Sequence, residues 1–134
     1  MIMNKLKKDY FKIVDLKLDE ATKKIEYLIT QDRLDEANHE KIRRNVIDIF
    51  KKMYDVSLKK VYSYENKSVE DMNLKEFRKT YLEFFDTIPM TWLSSLQKAK
   101  ENNDHEKIFI EELKIETKDK VKSYFEECWE GLYV

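Results

Sequence analysis

Hydrophobic positions recur every three or four residues along almost the whole chain, at about 100° per residue, the rhythm of an α-helix. Met3, Tyr10, Val14, Leu18, Ala21, Ile25 and Leu28 fall on one stripe, flanked by Leu6, Phe11 and Ile29, while Lys5, Lys12, Asp15, Lys23 and Glu26 lie off it. The pattern predicts an amphipathic helix over 3–29, about 40 Å long at the standard helical rise. Thr30-Gln31-Asp32 then offers cap chemistry, and Asp32 with Asp35 three residues on reads as the start of a second helix. That helix is predicted from Arg33 to Ser63. Leu34, Ile42, Val46, Ile49, Met53 and Val56 form its main stripe, and Phe50, Tyr54, Val61, Ile47 and Leu58 widen it. So broad an arc must touch neighbours on two sides.

Tyr64 to Met72 breaks the rhythm at Asn66, Lys67 and Ser68 and reads as a connection. Asn73-Leu74-Lys75-Glu76 then has the form of a capping box with Asn in the capping position. Leu74, Phe77, Tyr81, Phe84, Phe85 and Ile88 follow on one face, and Pro89 comes next. A proline removes a helical hydrogen bond and clashes with the preceding turn. Yet Ile88, Trp92, Leu96 and Ala99 extend the stripe of Tyr81 and Phe85 in phase, which two independent helices have no reason to do. One helix over 74–101, kinked or broken at Pro89, is the reading adopted. Asn102-Asn103-Asp104 stops it, with Asn103 and Glu106 as a second capping box. A last helix over 104–130 carries Phe109, Ile110, Leu113, Val121, Tyr124, Cys128 and Leu132 inward, with Gly131 at its end. The prediction is all-α: a single domain over 1–134, four long helices in an up-and-down antiparallel bundle.

The composition agrees. One glycine and one proline in 134 residues leave little for the tight turns of sheets. They also exclude glycine-rich phosphate loops, dinucleotide fingerprints and a G-x-S-x-G elbow. One cysteine, Cys128, excludes an internal disulfide and a multi-cysteine zinc site. On the apolar stripe it reads as an inert buried thiol. Short apolar runs interrupted by charge predict no membrane span, and the start lacks the apolar stretch of a signal peptide, so a soluble cytoplasmic protein is expected.

The two histidines sit in identical tetrapeptides, His39-Glu40-Lys41-Ile42 and His105-Glu106-Lys107-Ile108. The repeat reads either as a duplicated hairpin or as coincidence in a chain rich in Glu, Lys and Ile. Glu36 and His39 have the Glu-x-x-His spacing of bundle metal sites, and His105 falls at the same end. The partner three residues before His105 is Asn102, however, and no carboxylate falls mid-stripe on the first or third helix. No metal or cofactor is therefore expected, and a metal-dependent enzyme at the His39/His105 end is the least favoured reading. No serine or threonine has a histidine within a helical turn on the same face, so no catalytic residues are assigned.

Charge is balanced overall at −1 but not along the chain: residues 1–64 carry 15 basic and 11 acidic residues, a net of +4, and residues 65–134 carry 11 and 16, a net of −5. Basic pairs at 43–44, 51–52 and 59–60 spiral around their helix and build no nucleic-acid face. The asymmetry points instead to packing between halves or head-to-tail contact between subunits. The acidic Glu126, Glu127 and Glu130 oppose the helix dipole and are solvated or meet basic residues of another helix or chain.

Aromatics make up 13% of the chain, more than one bundle core needs. Ile108, Ile115, Phe125, Trp129 and Tyr133 form a second arc on the last helix, repeated sparsely by Ile2, Ile13, Leu16 and Tyr27 on the first and Ile47, Leu58 and Tyr62 on the second. Such arcs either pack sideways inside one chain or mark an interface. The favoured reading is a non-catalytic interaction or assembly module, a homodimer or a partner for another protein. The alternative is a small apolar ligand in a pocket lined by Phe77, Tyr81, Phe84 and Trp92, opened by the kink at Pro89.

Overall fold

A computed structural model describes the backbone of residues 2–65 and 74–132, and the side chains of 3–61 and 74–132. Its elements are α1 (Ile2–Thr30), α2 (Leu34–Glu65), α3 (Leu74–Thr87), α4 (Met90–Glu101) and α5 (His105–Gly131), and no strand occurs among the described residues. The Asn73 capping box, the connection up to Met72, Tyr133 and the side chains of Ile2 and Tyr62 lie outside the described residues.

α3 and α4 form one rod bent by 21° at residues 88–89. The ladder runs up to and away from the proline: the Ile88 amide donates to the Phe84 carbonyl at 3.1 Å, and the Leu93 amide to the Pro89 carbonyl at 2.9 Å. Only Pro89, at φ −72° and ψ −5°, has no N–H to contribute, so the helix bends and continues in phase.

The two short links share one device. The α1–α2 link turns at Asp32, with φ of 58°, and the α4–α5 link at Asn103, with φ of 53°. The Arg33 amide closes onto the Leu28 carbonyl and the Asp104 amide onto the Ala99 carbonyl, each at 2.9 Å. Left-handed residues that end helices are ordinarily glycine, with Asn and Asp the next best choices, and a chain with one glycine uses these. Asp32 therefore closes α1 rather than opening α2. Asn103 likewise closes α4, and the cap of α5 is Asp104, whose Oδ1 accepts from the Lys107 amide at 3.2 Å. These turns do not share the spacing of the histidine tetrapeptides. α2 begins at Leu34, so His39 lies past its first turn, whereas α5 begins at His105 itself. The repeated tetrapeptide thus occupies different helical positions and does not support a duplicated hairpin.

The rods form the expected up-and-down bundle. α1 packs on α2, α2 on α3, α4 on α5 and α5 back on α1, and α2 also meets α5 across the middle. The core runs through Leu6, Tyr10, Val14, Phe50, Tyr54, Val61, Phe77, Tyr81, Phe85, Val121 and Phe125. Three residues assigned to inner stripes lie outside it: Leu34, Val56 and Phe109 are exposed. Leu34 opens α2 beside the turn, and Val56 lies about a third of a circle from Phe50. On α5 the buried line is Leu113, Thr117, Val121, Phe125 and Cys128. Each backward step of four residues turns the direction by about 40°, and by Phe109 it has left the core.

Candidate functional site

Four residues were expected to line a ligand pocket, and the structure places all four in or against the core. Phe77 and Tyr81 are fully buried, and Phe84 and Trp92 are half-buried against the same cluster. Phe77 meets Tyr54 edge-on at 4.8 Å between ring centroids, Tyr81 meets Phe125 at 4.9 Å, and Phe50 stacks on Phe85 at 4.2 Å. Phe77 and Tyr81 thus take part in the packing of the core itself.

The core is not purely apolar. The Tyr81 hydroxyl donates to the Phe50 carbonyl at 2.8 Å and lies 2.6 Å from the Tyr10 hydroxyl. Tyr81 has one proton and spends it on Phe50, so Tyr10 is the donor between the two. The Tyr54 hydroxyl, buried beside them, has no hydrogen-bond partner among the described residues. Burial pushes all three phenols well above the ordinary tyrosine value. Cys128 is buried, and its thiol is pushed up, first by desolvation and then by Asp9 and Glu127. That environment disfavours the thiolate a nucleophile would need.

The histidine end gathers no ligand set. The His39 ring lies 4.7 Å from that of Phe109, His105 is exposed, and Glu36 is held by Arg33, which lowers its carboxyl below the usual range. No group of three or more His, Cys, Asp or Glu residues placed to hold a metal ion occurs among the described residues.

A groove that sequence reasoning missed opens where α1, α2 and α5 meet. It has a volume of about 260 Å³ and is lined by Lys17, Lys24, Glu40, Arg43, Thr117 and Tyr124, among others. Glu40, only 7% exposed, is paired with Lys24 at 3.3 Å and with Arg43. Lys17 lies over the Tyr124 ring at 5.9 Å. The available signal was a carboxylate on the inner side of α2 between Ala37 and Ile47, with Arg43 one turn on. Its partner Lys24 could be assigned only after α1 and α2 were packed.

The second arc on α5 divides. Phe125 is a correction: it lies at the centre of the core, touching Tyr10, Tyr54, Phe77 and Tyr81, because α3 covers the flank taken for an outer one. Trp129 is half-buried under the Arg78 guanidinium at 5.3 Å. Ile108 and Ile115 are half-buried. On α2, Ile47 is buried. The arc on α1 stays open, with Leu16 and Tyr27 each 54% exposed, and Phe109 on α5 is 48% exposed. Tyr27 was recognised as outward from the sequence, whereas Phe109 was not.

Among the described residues, interhelical ion pairs close within each half of the chain: Lys7–Asp55 at 3.0 Å, Lys51–Asp15 at 2.5 Å and Lys24–Glu40 in the first, Arg78–Glu126 at 3.6 Å in the second. They leave the charge separation of the two halves in place. No helix among the described residues is long and apolar enough to cross a membrane. No protein-family model, curated protein or solved structure matches the chain.

Proposed function

We propose that the protein is a non-catalytic helical assembly module that works by associating with copies of itself. The observation that carries this reading is the set of large apolar side chains left outside a bundle whose interior is already filled. Leu16, Tyr27, Met90, Leu93 and Phe109 are exposed although the core holds seven fully buried aromatic rings. Apolar surface of this kind is the common basis of protein interfaces, and two-fold homodimers are the commonest oligomers. The charge separation between the halves supports the same reading, because opposite charge is most readily met on a second copy. A ligand-binding bundle has less support, since Phe77 and Tyr81 pack the core. An enzyme at the histidine end has less again, since Glu36 is engaged by Arg33 and His105 stands apart in solvent.

Sedimentation velocity over a wide concentration range tests the proposal. The mass should rise from 16.4 kDa towards twice that value as concentration increases. A species that stays at 16.4 kDa at every concentration removes it.

A further inference from the structure

We infer that two copies pair through the outer face shared by α1 and α5, about a two-fold axis parallel to the helices, with the lysines of α1 against the glutamates of α5. This rests on the self-association reading and adds the surface and the symmetry.

The two helices are antiparallel neighbours, and contacts between them fix their register. Tyr10 is level with Phe125, at 5.4 Å between rings, and Lys17 reaches Tyr124. Counting outwards from these contacts at equal rise along both helices, Lys5 is level with Glu127 and Glu130, and Lys12 with Ser123 and Glu127. Lys23 is level with Glu112 and Glu116, and Tyr27 with Phe109. All of these residues are exposed. On the outer side of α1 the strip reads Lys5, Asp9, Lys12, Leu16, Glu20, Lys23, Tyr27, and on α5 it reads Phe109, Glu112, Glu116, Lys120, Ser123, Glu127, Glu130. The first carries three cations against Asp9 and Glu20, and the second four carboxylates against Lys120.

The face is therefore divided lengthwise, basic along one helix and acidic along the other, with apolar residues in both strips. A two-fold axis parallel to the helices brings α1 of one copy opposite α5 of the other at the same height. Lys5, Lys12 and Lys23 then meet the partner's carboxylate strip, and Tyr27 faces the partner copy's equivalent of Phe109. A two-fold axis across the helices would instead set α5 on α5, acid against acid, so the charge pattern selects the parallel arrangement. The existing partners on this face are exposed pairs one turn apart, Lys5–Asp9 at 2.7 Å, Lys23–Asp19 at 3.0 Å and Lys120–Glu116 at 3.4 Å. Such pairs stabilise little and are readily exchanged.

Charge reversal tests the face directly. One variant carries K5E, K12E and K23E; another carries E112K, E127K and E130K. All six positions are exposed, and circular dichroism checks that each variant stays helical. Each variant alone should self-associate at least about tenfold more weakly than the original chain, since like charges then face each other. An equimolar mixture should recover dimer as a mixed species, because the reversed α1 of one meets the reversed α5 of the other. If the original chain dimerises and both variants dimerise equally well, this face is wrong while self-association stands. If the original chain is monomeric throughout, both proposals fall.

Discussion

The two ends of the bundle are held by different chemistry. At the end that contains the α1 amino terminus and the α5 carboxyl terminus, rings from every rod interlock: Tyr10, Tyr54, Phe77, Tyr81 and Phe125 each touch several of the others. At the end with the two three-residue turns, small and polar residues share the buried positions with Ile25, Leu28 and Leu113. Ala21, Ala37 and Ala99 line them, and Glu40, Glu111 and Thr117 are buried there. Thr117 satisfies its hydroxyl on the Leu113 carbonyl at 2.8 Å, whereas one Glu111 oxygen has no hydrogen-bond partner among the described residues. Large rings at one end exclude solvent and fix the packing. Alanines and carboxylates at the other leave an open groove beside the core. Cohesion of the fold should be concentrated at the ring end, and the turn end should tolerate change.

The largest effect expected from this difference is alkaline unfolding driven by the ring end. Tyr10, Tyr54 and Tyr81 ionise above the ordinary value near 10 when folded. A group whose folded pKa is raised favours its protonated form in the native state. Its contribution is fully present below the unfolded pKa and is lost as pH rises towards the folded value. Each buried tyrosine then removes up to about 1.4 kcal/mol per pH unit above pH 10, so the three together remove about 4. Stability measured in urea at a series of pH values should fall steeply from about pH 10 upward. Phenolate absorbance should show these three titrating only as the chain unfolds. Smooth titration of all eight tyrosines near pH 10 in the folded protein would contradict the buried network.

Truncation compares the ends more directly. Phe125→Ala removes a fully buried ring where α5 meets α1, α2 and α3 and should cost about 3–5 kcal/mol. Ile25→Ala, in the buried stripe of α1 at the turn end, should cost about 2 kcal/mol, the low end for such changes, because no interlocked rings among the described residues surround it as they do Phe125. Equal losses in chemical denaturation, or a larger one for Ile25, would abolish the distinction between the ends.

How far the sequence showed this in advance differs between helices for a physical reason. On α1 and the bent α3–α4 rod one apolar stripe dominates and the apolar residues off it are sparse, so periodicity located their inner faces, their ends and the bend at Pro89. α5 has apolar residues around most of its circumference, from Ile108, Phe109 and Ile110 to Phe125 and Trp129. One helix alone gives no means of telling its core side from its flanks, and only neighbouring rods decide. That is why Phe125 was placed outside and Phe109 inside, the reverse of the structure. The left-handed Asp32 and Asn103 were hidden for another reason: Asp and Asn serve equally well as helix starts and as glycine substitutes. Charge asymmetry between the halves was plain in the sequence. The level of each α1 lysine against the α5 glutamates requires the packed register.

The smallest effects lie inside the ring end and separate its three hydroxyls. Tyr81→Phe removes the acceptor of the Tyr10 proton and leaves a buried O–H unpaired, which should cost about 1–3 kcal/mol. Tyr10→Phe removes a donor only; Tyr81 keeps its bond to the Phe50 carbonyl, and the loss should be about 1 kcal/mol. Tyr54→Phe deletes a hydroxyl buried with no partner among the described residues, so the change should be neutral or slightly stabilising. The three substitutions remove the same atom from rings of the same cluster, so differences in apolar burial nearly cancel and the hydrogen-bond order remains. Denaturation midpoints ranking Tyr54→Phe highest, Tyr10→Phe next and Tyr81→Phe lowest would sharpen the picture of the ring end as a directed chain of donors. If Tyr10→Phe lost more than Tyr81→Phe, the proton order would run the other way. If Tyr54→Phe were the most damaging of the three, its hydroxyl would have a partner, and the ring end would be more polar than the packing of its rings implies.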